Sequence, residues 1–286
     1  MRLGAALGLV LALLGAGCGG VRQATVPTTP TVAKRAAPSP SGLRVGVVGP
    51  LELAASGVVP KRGTLTGLDT SLVLVSAHVH GVAAVSAAAR ARPAVHFALV
   101  GASTKGDRAP NLVGLVLNDD QAALIAGYVA GLVAADAGTR EPRVAWVGPV
   151  ENALAGAFAR GVHRAWPAAV VLDQWSRSIP GRCKEAALAA IGRGAMVVMA
   201  HGGLCAKAAI AGAHEQNLPG LRLGEFEFPD VVANFVARDA AAGVFHGGED
   251  IFFGAASGAI GIGAVDPLIP LTTLGRARAA VPDLTR

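Results

Sequence analysis

The chain has little aromatic surface and no concentrated charge. It holds one Tyr, three Trp and eight Phe among 286 residues. A surface that stacks nucleic-acid bases needs repeated aromatic platforms, and these are missing. The net charge is +6, mostly from scattered Arg, and no block of five like charges occurs. A basic stripe that tracks a phosphate backbone is therefore not indicated, and no nucleic-acid partner is expected. The sequence also lacks the G-x-S-x-G elbow, the Walker loop and H-E-x-x-H. The first apolar strand runs into Gly49-Pro50 rather than a dinucleotide-binding turn, and the glycine-rich stretch from Gly258 to Gly263 opens no clear helix. No nucleophile–base pair is apparent, so no catalytic residue, cofactor or metal is expected.

What is present begins at the N-terminus. Met1-Arg2 is a positive start, followed by an apolar run from Leu3 to Leu14. That run is shorter than the ~20 residues a bilayer span requires. A charged start, a short apolar core and small residues before a break describe an export signal. The break, Gly15-Ala16-Gly17-Cys18, resembles a bacterial lipobox. The usual Leu three residues before the Cys is here Gly15, with Leu14 one residue further back. The resemblance implies cleavage after residue 17 and a lipid on Cys18. Plain signal cleavage with an unrelated Cys is the alternative. Residues 18–41 are rich in Pro, Thr, Ser and Ala and cannot bury enough surface to offset their ordering entropy, so they read as a flexible tether.

The roughly 245 residues that remain suffice for one large domain or two lobes. They alternate β-branched runs with Ala-rich runs. Strands are expected at Leu43–Val48, Leu72–Val75, His96–Val100, Leu112–Leu117, Arg143–Val147, Val170–Gln174, Met196–Ala200, Leu221–Gly224 and Asp250–Gly254. Helices are expected at Val82–Ala91, Gln121–Ala137, Ala153–Ala165, Cys183–Gly192, Cys205–Gln216 and Val231–Ala242. This alternation predicts an α/β fold with mostly parallel sheets flanked by helices, and ligands outside the carboxyl ends of the strands. Two sets of alternation point to two similar lobes, although no strong sequence repeat is visible. Lobe 1 is placed at residues 42–117 with a return segment near 230–249, and lobe 2 at 118–229. Residues 250–286 supply a late crossover strand and a C-terminal segment.

Several stretches resemble one known family. LNDDQAALIAGYVAGLVAA, from Leu117, matches an acidic-then-helix signature, and RVAWVGP, from Arg143, follows as strand and glycine turn. FARGVHRAWPAAVV, from Phe158, matches the next helix and strand. The most specific segment runs from Cys183 to Glu225, with its helix, strand, glycine loop and helix. LVLVSAHVHGVAAVSAAARARPAVHFALVG, from Leu72, and EDIFFGAASGAIGIGAV, from Glu249, extend the match. From Leu43 to Val281 the chain is similar to the basic membrane protein (BMP) family of ABC-transporter substrate-binding lipoproteins. The resemblance implies a two-lobed type I periplasmic-binding fold, a nucleoside-like solute held between the lobes, an ABC permease as partner and attachment to the extracytoplasmic face of the cell membrane.

Three departures stand out. Pro50 to Asp69 replaces the family's acidic turn and helix after the first strand, as if a helix–strand unit were missing from a shortened first lobe. Glu225-Phe226-Glu227-Phe228-Pro229 replaces the Asp-bearing turn that grips ribose, with Glu225 near the Asp position. The Lys of the last strand region is absent, and Ala255-Ala256-Ser257 stands there.

The candidate ligand-binding residues each have a plainer alternative. His201-Gly202-Gly203 follows a buried strand, where glycines let backbone N–H groups approach a ligand; a simple tight turn is the alternative. Asp119 and Asp120 start a helix, as ligand or hinge residues or as N-caps. His78 lines the cleft or lies in a solvated turn; with His80 it forms a His-x-His pair without a third metal ligand nearby. Trp175 and Phe226 stack on a planar ligand or pack between helix and sheet. Cys183 and Cys205 open neighbouring helices at one edge of a sheet and can form a disulfide in an oxidising compartment. The leading expectation is a solute-binding protein. Its rival is a degenerate sensor or structural module without transport, favoured by the shortened first lobe.

Overall fold

The computed structural model describes residues 42–148, 153–175 and 179–286. The expected export signal, Cys18 and the tether lie outside the described residues, as does the side chain of Trp175. Described residues divide between two parallel sheets. The first contains β1 (Leu43–Val48), β2 (Val58–Arg62), β3 (Leu72–Ser76), β4 (His96–Val100), β5 (Leu112–Leu117) and, much later in the chain, β10 (Asp250–Phe253). The second contains β6 (Arg143–Gly148), β7 (Val170–Trp175), β8 (Val197–Ala200) and β9 (Gly220–Arg222). Every strand pair within them is parallel. Near-continuous apolar strands such as Leu72–Ser76 and Val197–Ala200 are buried throughout, as a sheet covered on both faces requires.

The strand order is β10-β5-β4-β3-β1-β2 in one sheet and β7-β6-β8-β9 in the other. Counted from the first strand of each half, both share the order 2-1-3-4. The repeat hidden in the sequence is thus plain in the topology. In such sheets the order reverses beside the first strand, and a crevice opens at the carboxyl ends of the strands there.

The helices are α1 (Val82–Ala91), α2 (Asp119–Asp136), α3 (Ala153–Ala165), α4 (Pro180–Gly192), α5 (Gly203–Glu215), α6 (Pro229–Ala241) and α7 (Leu271–Leu284). α4 and α5 begin one turn or less before the expected Cys starts, because Pro180 fits the first helical position and Gly203 follows a left-handed Gly202. α2 and α3 cross at glycine contact. A Cβ on Gly161 would sit 2.0 Å from the Leu124 carbonyl oxygen, and one on Gly127 would sit 2.0 Å from that of Phe158. Cys183 in α4 and Cys205 in α5 are joined by a disulfide with a Cα–Cα separation of 5.4 Å. This fastens the start of α5 to its neighbour.

The first half differs from expectation in one respect. The strand of the missing helix–strand unit is present as β2, in parallel register with β1. Only the helix is absent. A parallel connection ordinarily needs such a crossover element, and residues 49–57 are held by other means. Arg62 donates to the carbonyls of Gly49 and Leu51, each at 3.0 Å, and to Glu52 at 2.7 Å. The first turns of α6 supply the rest. Asp230 accepts from the Glu52 N–H at 2.8 Å, and Asn234 accepts from the Ala54 N–H at 2.7 Å. Asn234 also donates to the Glu52 carbonyl at 3.0 Å. Leu51 is buried beneath this connection.

Candidate functional site

The two sheets present their carboxyl ends to a common cavity of about 590 Å³, within the range of small-molecule sites. Its walls come from equivalent places in the two halves. The third strand of each half ends in a cavity-lining histidine: β3 runs into Ser76 and His78, and β8 into Ala200 and His201. The fourth strands contribute Val100 and Gly101 on one side and Arg222 to Glu225 on the other. Leu117 and Asp119, where β5 passes into α2, close the wall between them.

Gly202 and Gly203 sit at the cavity with positive φ angles of +95° and +38°. A side chain at either would strain the backbone rather than collide with a neighbour, since no heavy atom lies within 4 Å of an added Cβ. α5 starts at this turn on the cavity wall, and no side chain caps its first N–H groups. They are donors for a hydroxyl or carbonyl of a bound solute. Behind the turn, the His201 ring stacks on the fully buried Trp146, with centroids 6.2 Å apart and an 18° interplanar angle.

Asp119 and Asp120 are not the caps of α2. Asn118 takes that position and accepts from the Gln121 N–H at 3.1 Å. Both Asp side chains are exposed, but Asp119, released from capping, lines the cavity and Asp120 does not. The surrounding walls exclude enough water to raise the Asp119 pKa; His201 opposes that shift, Asp120 adds to it, and His78 opposes it. Burial lowers the His201 pKa against the pull of Asp119.

Glu225 lines the cavity, but its carboxylate is already engaged. It accepts from the Arg222 backbone N–H at 3.2 Å and from Arg222 Nε at 3.1 Å. Burial raises its pKa, the Arg222 contacts oppose the rise, and Asp266 adds to it. Phe226 is a correction. It is fully buried and does not line the cavity, because the 3-10 turn Leu223–Glu225 that it ends leaves it in the core. His80 likewise lies outside the cavity wall, and among the described residues no group of three metal-ligating side chains forms.

Glu227 also lines the cavity, although it is not among the candidates that the sequence suggests. Its Oε1 is buried and accepts no hydrogen bond. Burial, reinforced by the Asp119 charge, raises its pKa from 4.5 to about 7. The segment is held rigidly by the glycine-rich stretch that opens no helix. Glu227 bridges Ile260, the Phe228 N–H donates to the Ala259 carbonyl at 2.8 Å, and the Gly263 N–H donates to the Glu225 carbonyl at 2.9 Å. A Cβ on Gly263 would meet that same carbonyl oxygen at 2.8 Å, so glycine is required for the close approach. The signal was in the alternation Glu225-Phe226-Glu227-Phe228. Phe226 is in the core, while Glu225, the last residue of the 3-10 turn Leu223–Glu225, and Glu227, at the bridge to Ile260, both line the cavity.

Comparisons with known proteins agree with this architecture. An ABC-transporter solute-binding protein from Conexibacter woesei superposes with a TM-score of 0.58 at 19% identity, covering 85% of this chain and 96% of that one. One from Aeropyrum pernix gives 0.56 at 15% identity, with 85% and 90% covered. A transcriptional activator of the comK gene from Bacillus halodurans gives 0.61 at 13% identity, with 86% and 98% covered. These likenesses concern the fold, which is that of periplasmic-binding-type solute-binding proteins. No protein of curated function matches the sequence. The family model described as Bmp, ABC transporter substrate-binding protein PnrA-like, matches residues 71–223, more than half of the chain. That span runs from β3 through β9 and includes both histidine-bearing strand ends, so the chain belongs to the Bmp family of PnrA-like ABC-transporter substrate-binding proteins.

Proposed function

We propose that the protein captures a nucleoside-like small molecule in the interlobe cleft, by closure of the two halves, and delivers it to an ABC permease. In this reading the chain works on the extracytoplasmic face of the membrane, held there by a lipid on Cys18. The observation that carries the proposal is the cavity of about 590 Å³ built from equivalent strand ends of both halves. Its fittings suit a ring compound with hydroxyl groups. His201, backed by Trp146, offers a planar face. The α5 N–H groups serve as donors, and the carboxyl groups of Asp119 and Glu227 serve as acceptors.

Thermal-shift measurements on the Cys18→Ser protein against nucleosides, sugars and amino acids test the reading. A solute present at 100 times its Kd stabilises the fold by ~2.7 kcal/mol. The expected result is a rise with nucleosides that is lost in Gly203→Val. Silence towards every class would favour a module without transport. Palmitate labelling of the wild type, absent in Cys18→Ser, tests the anchor.

A further inference from the structure

We propose that the cleft selects a solute bearing a positively charged nitrogen, seated against Glu227 and Asp119. The proposal rests on the reading of this cavity as a solute site and narrows the chemical class of the solute.

The charges of the wall carry the argument. Among the described residues, three carboxyl groups face the cavity, on Asp119, Glu225 and Glu227, against a single permanent cation, Arg222. Arg222 is spent on Glu225 through the contacts at 3.1 and 3.2 Å. Asp119 and Glu227 are left without Lys or Arg opposite them. Among the described residues, the other titratable groups at the wall are the imidazoles of His78 and His201. Burying a carboxylate without a donor is costly, and an oxygen in that position is an unfilled half of a hydrogen bond. Glu227 Oε1 is such an oxygen. A neutral hydroxyl would fill the hydrogen bond and leave two adjacent carboxyl groups in mutual repulsion. An ammonium or guanidinium group supplies both donors and charge, and charge-assisted pairs of this kind are the stronger ones.

Below about pH 7 a proton on Glu227 reduces the negative charge of the wall. Glu227 is pushed up to about 7, mainly by burial and secondarily by Asp119. A cation displaces that proton. Protonation of Glu227, Asp119, His78 or His201 opposes the cation in every case, and the Arg222–Glu225 pair remains neutral as a unit. Affinity for a cationic solute is therefore full above pH 7 and falls on acidification, by up to about ten-fold per pH unit.

Two matched pairs of probes test this: adenosine with 5′-deoxy-5′-guanidinoadenosine, and glucose with 6-deoxy-6-guanidinoglucose. A guanidinium group stays charged throughout, so only the protein titrates. Kd is measured by calorimetry at pH 8 and pH 6. The guanidino member of at least one pair is expected to bind ten-fold or more tighter than its parent at pH 8, with the advantage shrinking at pH 6. Glu227→Gln is expected to reduce the ratio between the parent's Kd and the guanidino member's Kd below three-fold, whatever it does to the parent's own Kd. Its solute-free melting temperature at pH 7 checks that it folds, and Asp119→Asn provides a second variant. Equal or tighter binding of both neutral parents at pH 8 overturns the cationic preference and leaves the solute reading standing. An advantage that survives in both variants also overturns it, because the cation then sits elsewhere. Failure of all four compounds to bind removes the proposal together with the reading beneath it.

Discussion

The two halves of the molecule share a strand order and differ in what stabilises them. The four-stranded half keeps a helix beside each strand connection that is described, closes α4 to α5 with a disulfide, and crosses α2 over α3 at glycine contact. The six-stranded half has lost the helix after its first strand. It replaces it with one arginine and two side chains borrowed from α6. The lesson concerns which parts of a repeated plan are dispensable. The third-strand ends, which carry His78 and His201, are kept in both halves. The crossover between the first and second strands of the six-stranded half lines no part of the cavity, so it can be pared down to a hydrogen-bonded loop.

The contrast can be broken at measurable points. The largest loss is expected from Gly161→Val, whose Cβ would sit 2.0 Å from the Leu124 carbonyl oxygen. Backbone cannot yield as a flexible side chain does, so a loss of about 3 kcal/mol or more is expected in urea unfolding. Next comes the disulfide. Replacing Cys183 and Cys205 by Ser opens a loop of sequence separation 22 and should cost about 2–4 kcal/mol, with faster amide exchange in α4 and α5 than in α1.

Glu227 gives a pH-dependent effect. Its folded pKa lies above its unfolded value, so the folded state holds the extra proton. The resulting stabilisation is fully present below pH 4.5 and is lost as pH rises through about 7. About 1–3 kcal/mol should disappear between pH 4.5 and pH 8 in the wild type relative to Glu227→Gln. Melting curves of the two proteins across that range provide the check.

The smallest effect belongs to the six-stranded half. Asn234→Ala removes the contacts to Ala54 and Glu52 and should cost about 1–2 kcal/mol, with faster exchange confined to residues 49–57. A loss as large as that of the disulfide would mean that the substituted crossover is as demanding as the helix it replaces.

Much of this architecture was legible in the residues, for physical reasons. Buried parallel strands are unbroken apolar runs, so β3, β4, β5 and β8 announce themselves. β2 does not. Val58-Val59-Pro60-Lys61-Arg62 is a mostly exposed edge strand, and its proline and two cations mark such edges and mask the strand pattern. α7 was also missed, because Gly275 and Pro282 interrupt its helical pattern. In the site, the histidines and the glycine turn could be placed by their position after strands. Glu227 could not be told from Glu225 until geometry showed that one carboxylate is engaged by Arg222 and the other has a buried oxygen without a donor. Phe226 resembles a stacking platform in the sequence because composition cannot show that the 3-10 turn before it leaves its ring in the core.

One feature bears on how the chain reaches this structure. All four strands of the smaller sheet lie between Arg143 and Arg222, whereas the larger sheet recruits Asp250–Phe253 to pair with Leu112–Leu117. Contacts distant along the chain incur more loop-closure entropy and form later. The smaller sheet can therefore assemble as soon as its own segment is free. The larger one must leave the outer edge of β5 open until nearly the whole chain is present, and that waiting edge is where premature pairing with another molecule would begin.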